Sequence, residues 1–421
     1  MNKSIKRLLA FILVTIITSS QVFGASYIYK VDKESSSVEK IAPIESSIST
    51  SLTLSPPEFN FQSVSQILIE PTTGTVLYAN NENERLLPAS VTKIMSLLLI
   101  MEQIDSGKLA YTDKIKCSEN ASKMGGSQIW FKEGEELTVE DCLKAICVVS
   151  ANDVTVAMAE HIAGSQENFV KMMNEKAKEL GMENTCFKNA HGIDEEGHYT
   201  TAKDISIMSR ELIIKHPDIL KFTSIWMDTL RDGTFGLTNT NKLIRFYEGA
   251  NGLKTGSTSQ ALFNLASTAT RDGTTFLAVV MKAPSSAIRA EESTQLLNYA
   301  FSNFEIQNVY EKNAVIEDKI IDKCITDTAQ IAIQENVTVL KNKGSKVETE
   351  EIVSYNDNIK APIEANTVVG TIQIIDKTTK EVLGEKNIIV LNDIKKSGFL
   401  DYMKKLFKVL LFNIDDNELI V

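Results

Sequence analysis

The chain is poor in the residues that mark several specialised classes of protein. Its 421 residues include only 8 prolines, 20 glycines, 5 cysteines and 4 histidines. So little proline and glycine excludes collagen-like and low-complexity chains, and so few cysteines exclude a small domain built on disulfides. Basic residues are outnumbered, with 44 Lys and Arg against 55 Asp and Glu, and no long basic block occurs outside the two ends. A nucleic-acid-binding protein is not expected, because such proteins present a basic surface.

The first 24 residues have the pattern of a secretory signal. Two lysines and an arginine precede a short apolar run from Leu8 to Thr18, and Val22 and Gly24 occupy the −3 and −1 positions of a signal-peptidase site. The run is too short for a comfortable membrane span. The sequence therefore predicts a signal peptide at 1–24 and an exported protein, with an uncleaved N-terminal anchor as the alternative. Five cysteines leave at least one unpaired, and their spacings match no zinc site.

The rest of the chain divides into three regions that differ in composition and periodicity. Residues 25–59 are rich in Ser and Thr and indicate a leader or spacer. Residues 60–305 begin with a strand–turn–strand pattern at 65–79 and continue with helical periodicity at about 90–104, 138–149, 153–163, 166–180 and 202–214. Strands at 262–270 and 275–282 and a helix at about 288–303 complete this region. The pattern predicts an α+β domain, with helices packed on an antiparallel sheet. Residues 306–392, with short β-branched runs between turns, predict a small all-β domain.

The C-terminal segment 393–421 contains an amphipathic pattern. At about 100° per residue, one face collects the apolar residues Phe399, Leu400, Met403, Leu406, Phe407, Leu410 and Leu411. Lysines 404, 405 and 408 lie on the opposite side. A basic amphipathic helix in an exported protein predicts binding to an anionic membrane surface. The alternative is a terminal helix docked on its own domain.

Three short motifs carry candidate chemistry. In the first, Ser90 and Lys93 lie three residues apart at the start of a predicted helix, so the amine can reach the hydroxyl. Serine is a poor nucleophile unless a neighbouring base takes its proton. Lysine can be that base only if burial or a nearby cation lowers its pKa.

The second and third motifs are weaker when taken alone. Ser150 and Asn152, at the junction of two helical patterns, offer a hydroxyl to relay a proton and an amide to hold a substrate carbonyl. Lys254, Thr255 and Gly256 stand just before a predicted strand. They offer a cation and a hydroxyl to a carboxylate, and the glycine allows a close backbone approach.

Together and in this order, the three motifs resemble those of the penicillin-interacting serine enzymes, which include penicillin-binding proteins and class A β-lactamases. Longer strings narrow the resemblance to the low-molecular-mass D-alanyl-D-alanine carboxypeptidases, and it extends from about residue 60 to the C-terminus. These strings include Pro88–Met95, Gly125–Ser127, Phe169–Asn174, His191–Ile193 and Gly252–Gly256. The implied fold is a β-lactamase/transpeptidase-like domain followed by a small β domain and an amphipathic tail.

The resemblance also implies a role for each motif residue. Ser90 attacks the carbonyl between two D-alanines, and Lys93 is the base for that step. Ser150 passes the proton to the leaving amine, while Asn152 holds Lys93 and the substrate amide. Lys254 and Thr255 steady Ser150 and the terminal carboxylate.

Further positions follow from the same resemblance. Backbone N–H groups of Ser90 and Ser257 form an oxyanion hole. Many relatives carry an aromatic residue or histidine at position 257, where this chain has serine, so the resemblance implies only a backbone role there. Arg289 matches the family's carboxylate-binding arginine, and the alternative is an ordinary helix residue. His191 matches a loop that borders the site and is not expected to bind a metal.

The predicted activity is that of a serine D-Ala-D-Ala carboxypeptidase that trims peptidoglycan stem peptides at the outer face of the cytoplasmic membrane. Penicillins are expected to acylate Ser90, and no metal or organic cofactor is implied. A class A β-lactamase is disfavoured, because no matching Glu-x-x-x-Asn segment lies between Asn152 and Lys254. An endopeptidase or transpeptidase using the same residues stays open. A non-catalytic wall-binding protein is disfavoured, because such a protein would be free to lose Ser90, Lys93 or Lys254.

Overall fold

The structure, a computed structural model, describes residues 57–321, 324, 328–345, 347–357 and 359–412. The predicted signal peptide lies outside these residues, and so does most of the predicted spacer. Both remain predictions.

A five-stranded antiparallel sheet forms the centre of the N-terminal region, as the sequence predicts. With strands numbered along the chain, it contains β1 (Ser65–Glu70), β2 (Thr75–Asn80), β7 (Ala250–Thr258), β8 (Leu262–Arg271) and β9 (Thr274–Ala283). Their spatial order is β2-β1-β9-β8-β7, so β7 is an edge strand. Short hairpins join β3 (Lys114–Lys116) to β4 (Glu136–Thr138) and β5 (Met227–Leu230) to β6 (Phe235–Thr238).

Helices cover both faces of this sheet. They are α1 (Lys93–Asp105), α2 (Glu119–Ser122), α3 (Val139–Lys144), α4 (Asn152–Ala163), α5 (Gln166–Glu179), α6 (Ala202–Lys215), α7 (Leu220–Thr223), α8 (Leu243–Phe246) and α9 (Ser286–Asn303). A 3-10 turn at Ala89–Thr92 precedes α1, a second at Pro217–Ile219 precedes α7, and a π-helical turn at Ala145–Val149 follows α3. Hydroxyl side chains cap α3, α5, α6 and α9, where Thr138, Ser165, Thr201 and Ser285 accept hydrogen bonds from backbone N–H groups of the first turn.

Alternating side chains of the sheet divide the core into two layers. Ile67 and Ile69 of β1 join the cluster that contains α1, whereas Leu68 joins the cluster that contains α9. Residues 93–101 of α1 are all buried, which is the burial expected of a helix inside a large core. The burial of α1 fixes the position of its N-terminus, which directly follows the turn that carries Ser90, the candidate nucleophile.

The C-terminal region is built from strands, as predicted. They are β10 (Phe304–Tyr310), β11 (Val315–Ile320), β12 (Thr328–Ile333), β13 (Val337–Asn342), β14 (Thr349–Tyr355), β15 (Val368–Asp376) and β16 (Val382–Val390). One antiparallel sheet has the order β11-β12-β16-β15-β14, and β10 pairs with β13. Buried Val, Ile and Ala residues form a third core there. The predicted fold class is therefore confirmed.

One strand was not predicted. Lys254, Thr255 and Gly256 precede the predicted strand at 262–270, which is β8, but they also lie inside β7, a strand that the sequence did not indicate. Gly252 and Gly256 disfavour a strand by propensity, and pairing with β8 overrides that preference.

The amphipathic pattern at the C-terminus corresponds to a helix, α10 (Phe399–Phe412). Phe399 is 78% exposed and Leu400 is 72% exposed, so the start of its apolar face is open to solvent. In the described part of the chain, no helix has the length and apolarity needed to cross a bilayer.

Candidate active site

A cleft of about 300 Å³ lies between the edge strand β7, the turn before α1, the turn before α4 and helix α9. Six residues singled out from the sequence line it: Ser90, Ser150, Thr255, Gly256, Ser257 and Arg289. The other four predicted residues, Lys93, Asn152, His191 and Lys254, are buried. Residues separated by up to about 200 positions in the sequence therefore meet at one cleft.

Ser90 and Lys93 form the centre of the site. Ser90 lies on the 3-10 turn and Lys93 is the first residue of α1, so one helical turn separates them. The Lys93 Nζ is 3.0 Å from the Ser90 Oγ. This distance permits direct proton transfer from the hydroxyl to the amine.

Lys93 is held by two further oxygen atoms. Its Nζ lies 2.6 Å from the Asn152 Oδ1 and 2.7 Å from the His191 backbone oxygen. A neutral amine has two N–H donors and one lone pair. With both donors directed to these acceptors, the lone pair is available to accept the Ser90 hydroxyl proton.

The surroundings of Lys93 favour this neutral form. The side chain is completely buried, and burial lowers its pKa well below the ordinary value, with a further lowering from Lys254. The buried Asp153 carboxylate acts in the opposite direction but has the smaller effect. Burial is thus the main reason that this lysine can serve as a base near neutral pH.

Ser150 presents a hydroxyl with no partner in the described residues. It ends the π-helical turn in a left-handed conformation, with φ of 64°, and its buried Oγ makes no hydrogen bond there. Buried polar groups are rarely left unsatisfied without a reason. Because Ser150 lines the cleft, its hydroxyl is available to a group that enters the cleft.

Lys254 is 1% exposed and directly precedes Thr255 on β7. Burial, with a contribution from Arg289, lowers its pKa to about 7. Its Nζ donates to the Thr255 backbone oxygen at 3.0 Å, and no hydrogen bond joins it to Ser150 among the described residues. The Thr255 Oγ1 lies 2.7 Å from the Thr240 Oγ1, which fixes that hydroxyl at the cleft.

Gly256 is required by a close approach between β7 and the nucleophile turn. A Cβ atom there would lie 2.8 Å from the Pro88 oxygen and 3.0 Å from the Ser90 backbone nitrogen. The following residue, Ser257, is exposed at the cleft. Since β7 is an edge strand, backbone groups on its free side are available to a bound peptide.

Arg289 extends from the first turn of α9 into the cleft wall and is 8% exposed. Its Nη1 donates to the Asn264 oxygen at 3.1 Å, and its buried Nε has no partner in the described part of the chain. A buried cation with an unused donor is suited to an entering carboxylate.

His191 is buried and its backbone oxygen, rather than its ring, contacts Lys93. Burial and the nearby Lys93 lower the pKa of its imidazole to about 3, so the ring is neutral. The next residue, Gly192, has φ of +89°, and a Cβ there would lie 1.9 Å from the Ala89 oxygen. The His-Gly loop therefore packs against the nucleophile turn because only glycine fits.

Sequence reasoning missed Asn264, which fixes the position of the nucleophile turn. Its Nδ2 donates to the Leu87 and Pro88 oxygens at 2.9 and 3.0 Å, and its Oδ1 accepts from the Lys282 nitrogen. Asp153 was also given no role, although its carboxylate accepts from the Ile129 and Phe131 nitrogens. Nothing in the local sequence marks this asparagine inside a strand, because the turn that it holds lies 177 residues away at Leu87.

No group of three or more metal-ligating side chains occurs within the residues the structure describes. What the fold and the cleft define is a serine enzyme in which a buried lysine activates the nucleophile. The comparisons with known proteins agree with this class.

Residues 50–285 match the Peptidase S11 family, described as D-alanyl-D-alanine carboxypeptidase, and residues 304–396 match the C-terminal domain of penicillin-binding protein 5. The chain is 44% identical, over 83% of its length and 90% of the relative's, to D-alanyl-D-alanine carboxypeptidase DacF of Bacillus subtilis. The chain belongs to the D-alanyl-D-alanine carboxypeptidase family, and the class and family predicted from the sequence are confirmed.

Solved structures give the same result. Penicillin-binding protein 5 of Haemophilus influenzae has a TM-score of 0.69 at 28% identity, covering 81% of this chain and 99% of that one. Penicillin-binding protein D2 of Listeria monocytogenes in its ampicillin-bound form has a TM-score of 0.54 at 28% identity, covering 58% of this chain and all of that one.

Proposed function

We propose that this protein is a serine-type D-Ala-D-Ala carboxypeptidase that removes the terminal D-alanine from peptidoglycan stem peptides. The observation that carries the proposal is the 3.0 Å contact between the Ser90 Oγ and the Nζ of a completely buried Lys93. The relative named above, D-alanyl-D-alanine carboxypeptidase DacF, supports the choice of substrate.

In the first step, the Ser90 Oγ bonds to the carbonyl carbon between the two D-alanines and its proton passes to Lys93. Backbone N–H groups of Ser90 and Ser257 stabilise the oxyanion. The C–N bond then breaks, and the leaving amine takes the proton from Lys93 through the Ser150 hydroxyl, which has no partner among the described residues. Water next attacks the acyl carbon and gives a proton to Lys93. The C–O bond to Ser90 breaks, Lys93 returns the proton to the Ser90 Oγ, and the shortened peptide leaves with a free carboxyl group.

The remaining predicted residues orient the substrate. Thr255 and Arg289 bind the terminal carboxylate, with Lys254 adding positive charge behind them. Asn152 holds Lys93 through its Oδ1, while its Nδ2 donates to the Gly125 oxygen at 2.8 Å. His191 contributes its backbone oxygen to the same lysine. A penicillin presents an amide and a carboxylate to the same groups and is expected to acylate Ser90.

The test is D-alanine release from a pentapeptide that ends in D-Ala-D-Ala, with Ser90→Ala as the matched variant. We expect release by the unsubstituted protein and none by the variant. Penicillin labelling that depends on Ser90, without any D-alanine release, would instead indicate an endopeptidase or transpeptidase. Penicillin labelling that persists in Ser90→Ala would contradict the assignment of the nucleophile.

We also propose that the protein is exported and lies at the outer face of the cytoplasmic membrane, held there by α10. The exposed Phe399, Leu400 and Phe407 support this location, because such an apolar face is stabilised at a lipid surface. Deletion of residues 394–421 is expected to release the protein from sedimented membranes. A full-length variant with Phe399→Asp and Phe407→Asp removes the apolar face without deleting residues, and it is also expected to be released. Membrane sedimentation unchanged in both would contradict the proposal.

A further inference from the structure

One buried carboxylate beside the reacting groups has no part in the reaction outlined above. Asp153 directly follows Asn152 in the first turn of α4, where a negative charge is favoured, and it is 1% exposed. Its Oδ2 accepts from the Ile129 nitrogen at 3.1 Å and from the Phe131 nitrogen at 2.9 Å. The carboxylate therefore joins α4 to the segment 125–131, which we call the wall loop.

The wall loop borders the cleft and orients the side chain of Asn152. Ser127 of this loop lines the cleft, and its oxygen accepts from the Asn152 nitrogen at 2.7 Å. The Asn152 Nδ2 donates to the Gly125 oxygen at 2.8 Å. This second bond decides which end of the amide faces Lys93, because it leaves the Oδ1 as the acceptor for the lysine amine. The position of the wall loop therefore determines how the base is held.

The wall loop has a backbone conformation that needs support. Trp130, between the two residues that donate to Asp153, has φ of 54°, a left-handed conformation that is unfavourable for a bulky side chain. Its side chain is 64% exposed, so burial of the ring does not offset this cost. Arg231 donates to the same loop, through its Nη1 to the Ile129 oxygen at 2.9 Å and through its Nη2 to the Trp130 oxygen at 3.3 Å. Asp153 and Arg231 together keep the loop in this conformation.

The charge of Asp153 also acts on the base. Burial and Lys254 lower the pKa of Lys93, and the Asp153 carboxylate acts in the opposite direction. Three other titratable groups around this pair carry no charge near neutral pH, and they are the imidazole of His191 and the thiols of Cys117 and Cys142. Asp153 therefore supplies the negative charge that acts on Lys93.

We propose that Asp153 is a positioning residue for the reaction and acts through Asn152 and Lys93. Its hydrogen bonds hold the wall loop in the conformation that orients the Asn152 amide, and its negative charge sets the pH at which Ser90 becomes reactive. This inference rests on the proposed function and adds the residue that sets its pH range. Asp153 does not line the cleft and makes no contact with the substrate.

The test measures the rate of Ser90 acylation by a penicillin as a function of pH, in the unsubstituted protein and in Asp153→Asn. This substitution removes the charge and keeps an oxygen acceptor. Because the lost charge favours the ammonium form of Lys93, the acidic limb should shift to lower pH by about half a unit. The maximal rate should fall about tenfold, because Asn152 is held less firmly. An unmoved limb would overturn the inference.

Two matched variants separate the charge from the hold on the loop. Arg231→Gln releases the wall loop and leaves Asp153 charged, so the maximal rate should fall while the limb stays in place. Glu160→Gln removes a carboxylate from the same helix, where it accepts from the Ser118 Oγ at 2.5 Å and the Asn120 Nδ2 at 2.8 Å, and it should change neither quantity. A limb that moves in either variant, or an unchanged maximal rate in Arg231→Gln, would overturn the inference.

Asp153→Glu keeps the inference testable if Asp153→Asn shows no cooperative denaturant transition. It retains the charge on a longer side chain, so the limb should stay and the maximal rate should fall, and acylation at the unsubstituted rate would overturn the inference. Absence of both Ser90 acylation and D-alanine release in the unsubstituted protein would overturn the proposed function and this inference with it. Both activities together with an unmoved limb in Asp153→Asn would overturn this inference alone.

Discussion

The Nζ of Lys93 lies 2.6 Å from the Oδ1 of Asn152, a residue 59 positions further along the chain. This contact orients the amine so that its lone pair faces Ser90. A charged substitution at position 152 should therefore change the pKa of Lys93 directly.

Asn152→Asp is expected to move the pH dependence of acylation. A carboxylate beside Lys93 favours the ammonium form and raises its pKa, so a smaller fraction of the lysine is neutral at a given pH. The acidic limb of the rate of Ser90 acylation by a penicillin should therefore shift to higher pH by about one unit or more. Asn152→Ala, which adds no charge, should lower the rate without that shift. An unchanged limb in Asn152→Asp would show that Lys93 is not the titrating base.

Arg289→Gln should weaken the use of substrates that end in a free carboxylate. Loss of a charge-assisted hydrogen bond costs about 2 kcal/mol, so kcat/KM for D-Ala-D-Ala peptides should fall about 30-fold. The peptide amide, which lacks this charge, should be turned over slowly and equally by both proteins. Arg289→Lys, which keeps the charge but loses the planar fork, should give an intermediate rate. An equal fall for the acid and the amide would contradict carboxylate binding.

Gly192→Ala should destabilise the protein more than an ordinary substitution in a left-handed turn. Its Cβ would lie 1.9 Å from the Ala89 oxygen, whereas a Cβ at Gly181, with φ of +74°, meets nothing within 4 Å. We expect Gly181→Ala to lower the free energy of unfolding by about 1 kcal/mol through backbone strain alone. Gly192→Ala should lower it by about 3 kcal/mol and slow acylation, because the turn that carries Ser90 must move. Denaturant titration and penicillin labelling measure the two effects, and equal destabilisation would contradict the packing argument.

The cysteines should differ sharply in reactivity. None of the five is in a disulfide, and four are buried, while Cys186 is half-buried. Burial raises the pKa of Cys117 and of Cys147 to about 12, which keeps both thiols protonated and unreactive. A thiol-specific reagent should therefore label about one group in the native protein and five after unfolding. Cys186→Ser should abolish the native reaction, and rapid labelling of that variant would show that another thiol is accessible.

Local periodicity was enough to predict several elements of this protein. The apolar pattern at 90–104 predicted α1, and the alternation at 262–282 predicted β8 and β9. The spacing of Ser90 and Lys93 was sufficient to place hydroxyl and amine on one helical turn, because that distance is set by helix geometry.

The chemical properties of these groups depend on contacts between elements that are far apart in the sequence. The pKa of Lys93 depends on burial and on Lys254, which lies 161 positions away and belongs to another element. The strand that holds Lys254 was not predicted at that point, because its glycines oppose a strand locally. Gly256 is required by the approach to Pro88 and Ser90, which the local sequence does not show. Asn264 likewise gains its role from the residues that pack beside it. Such contacts join distant parts of the chain, so neither periodicity nor motif spacing predicts them.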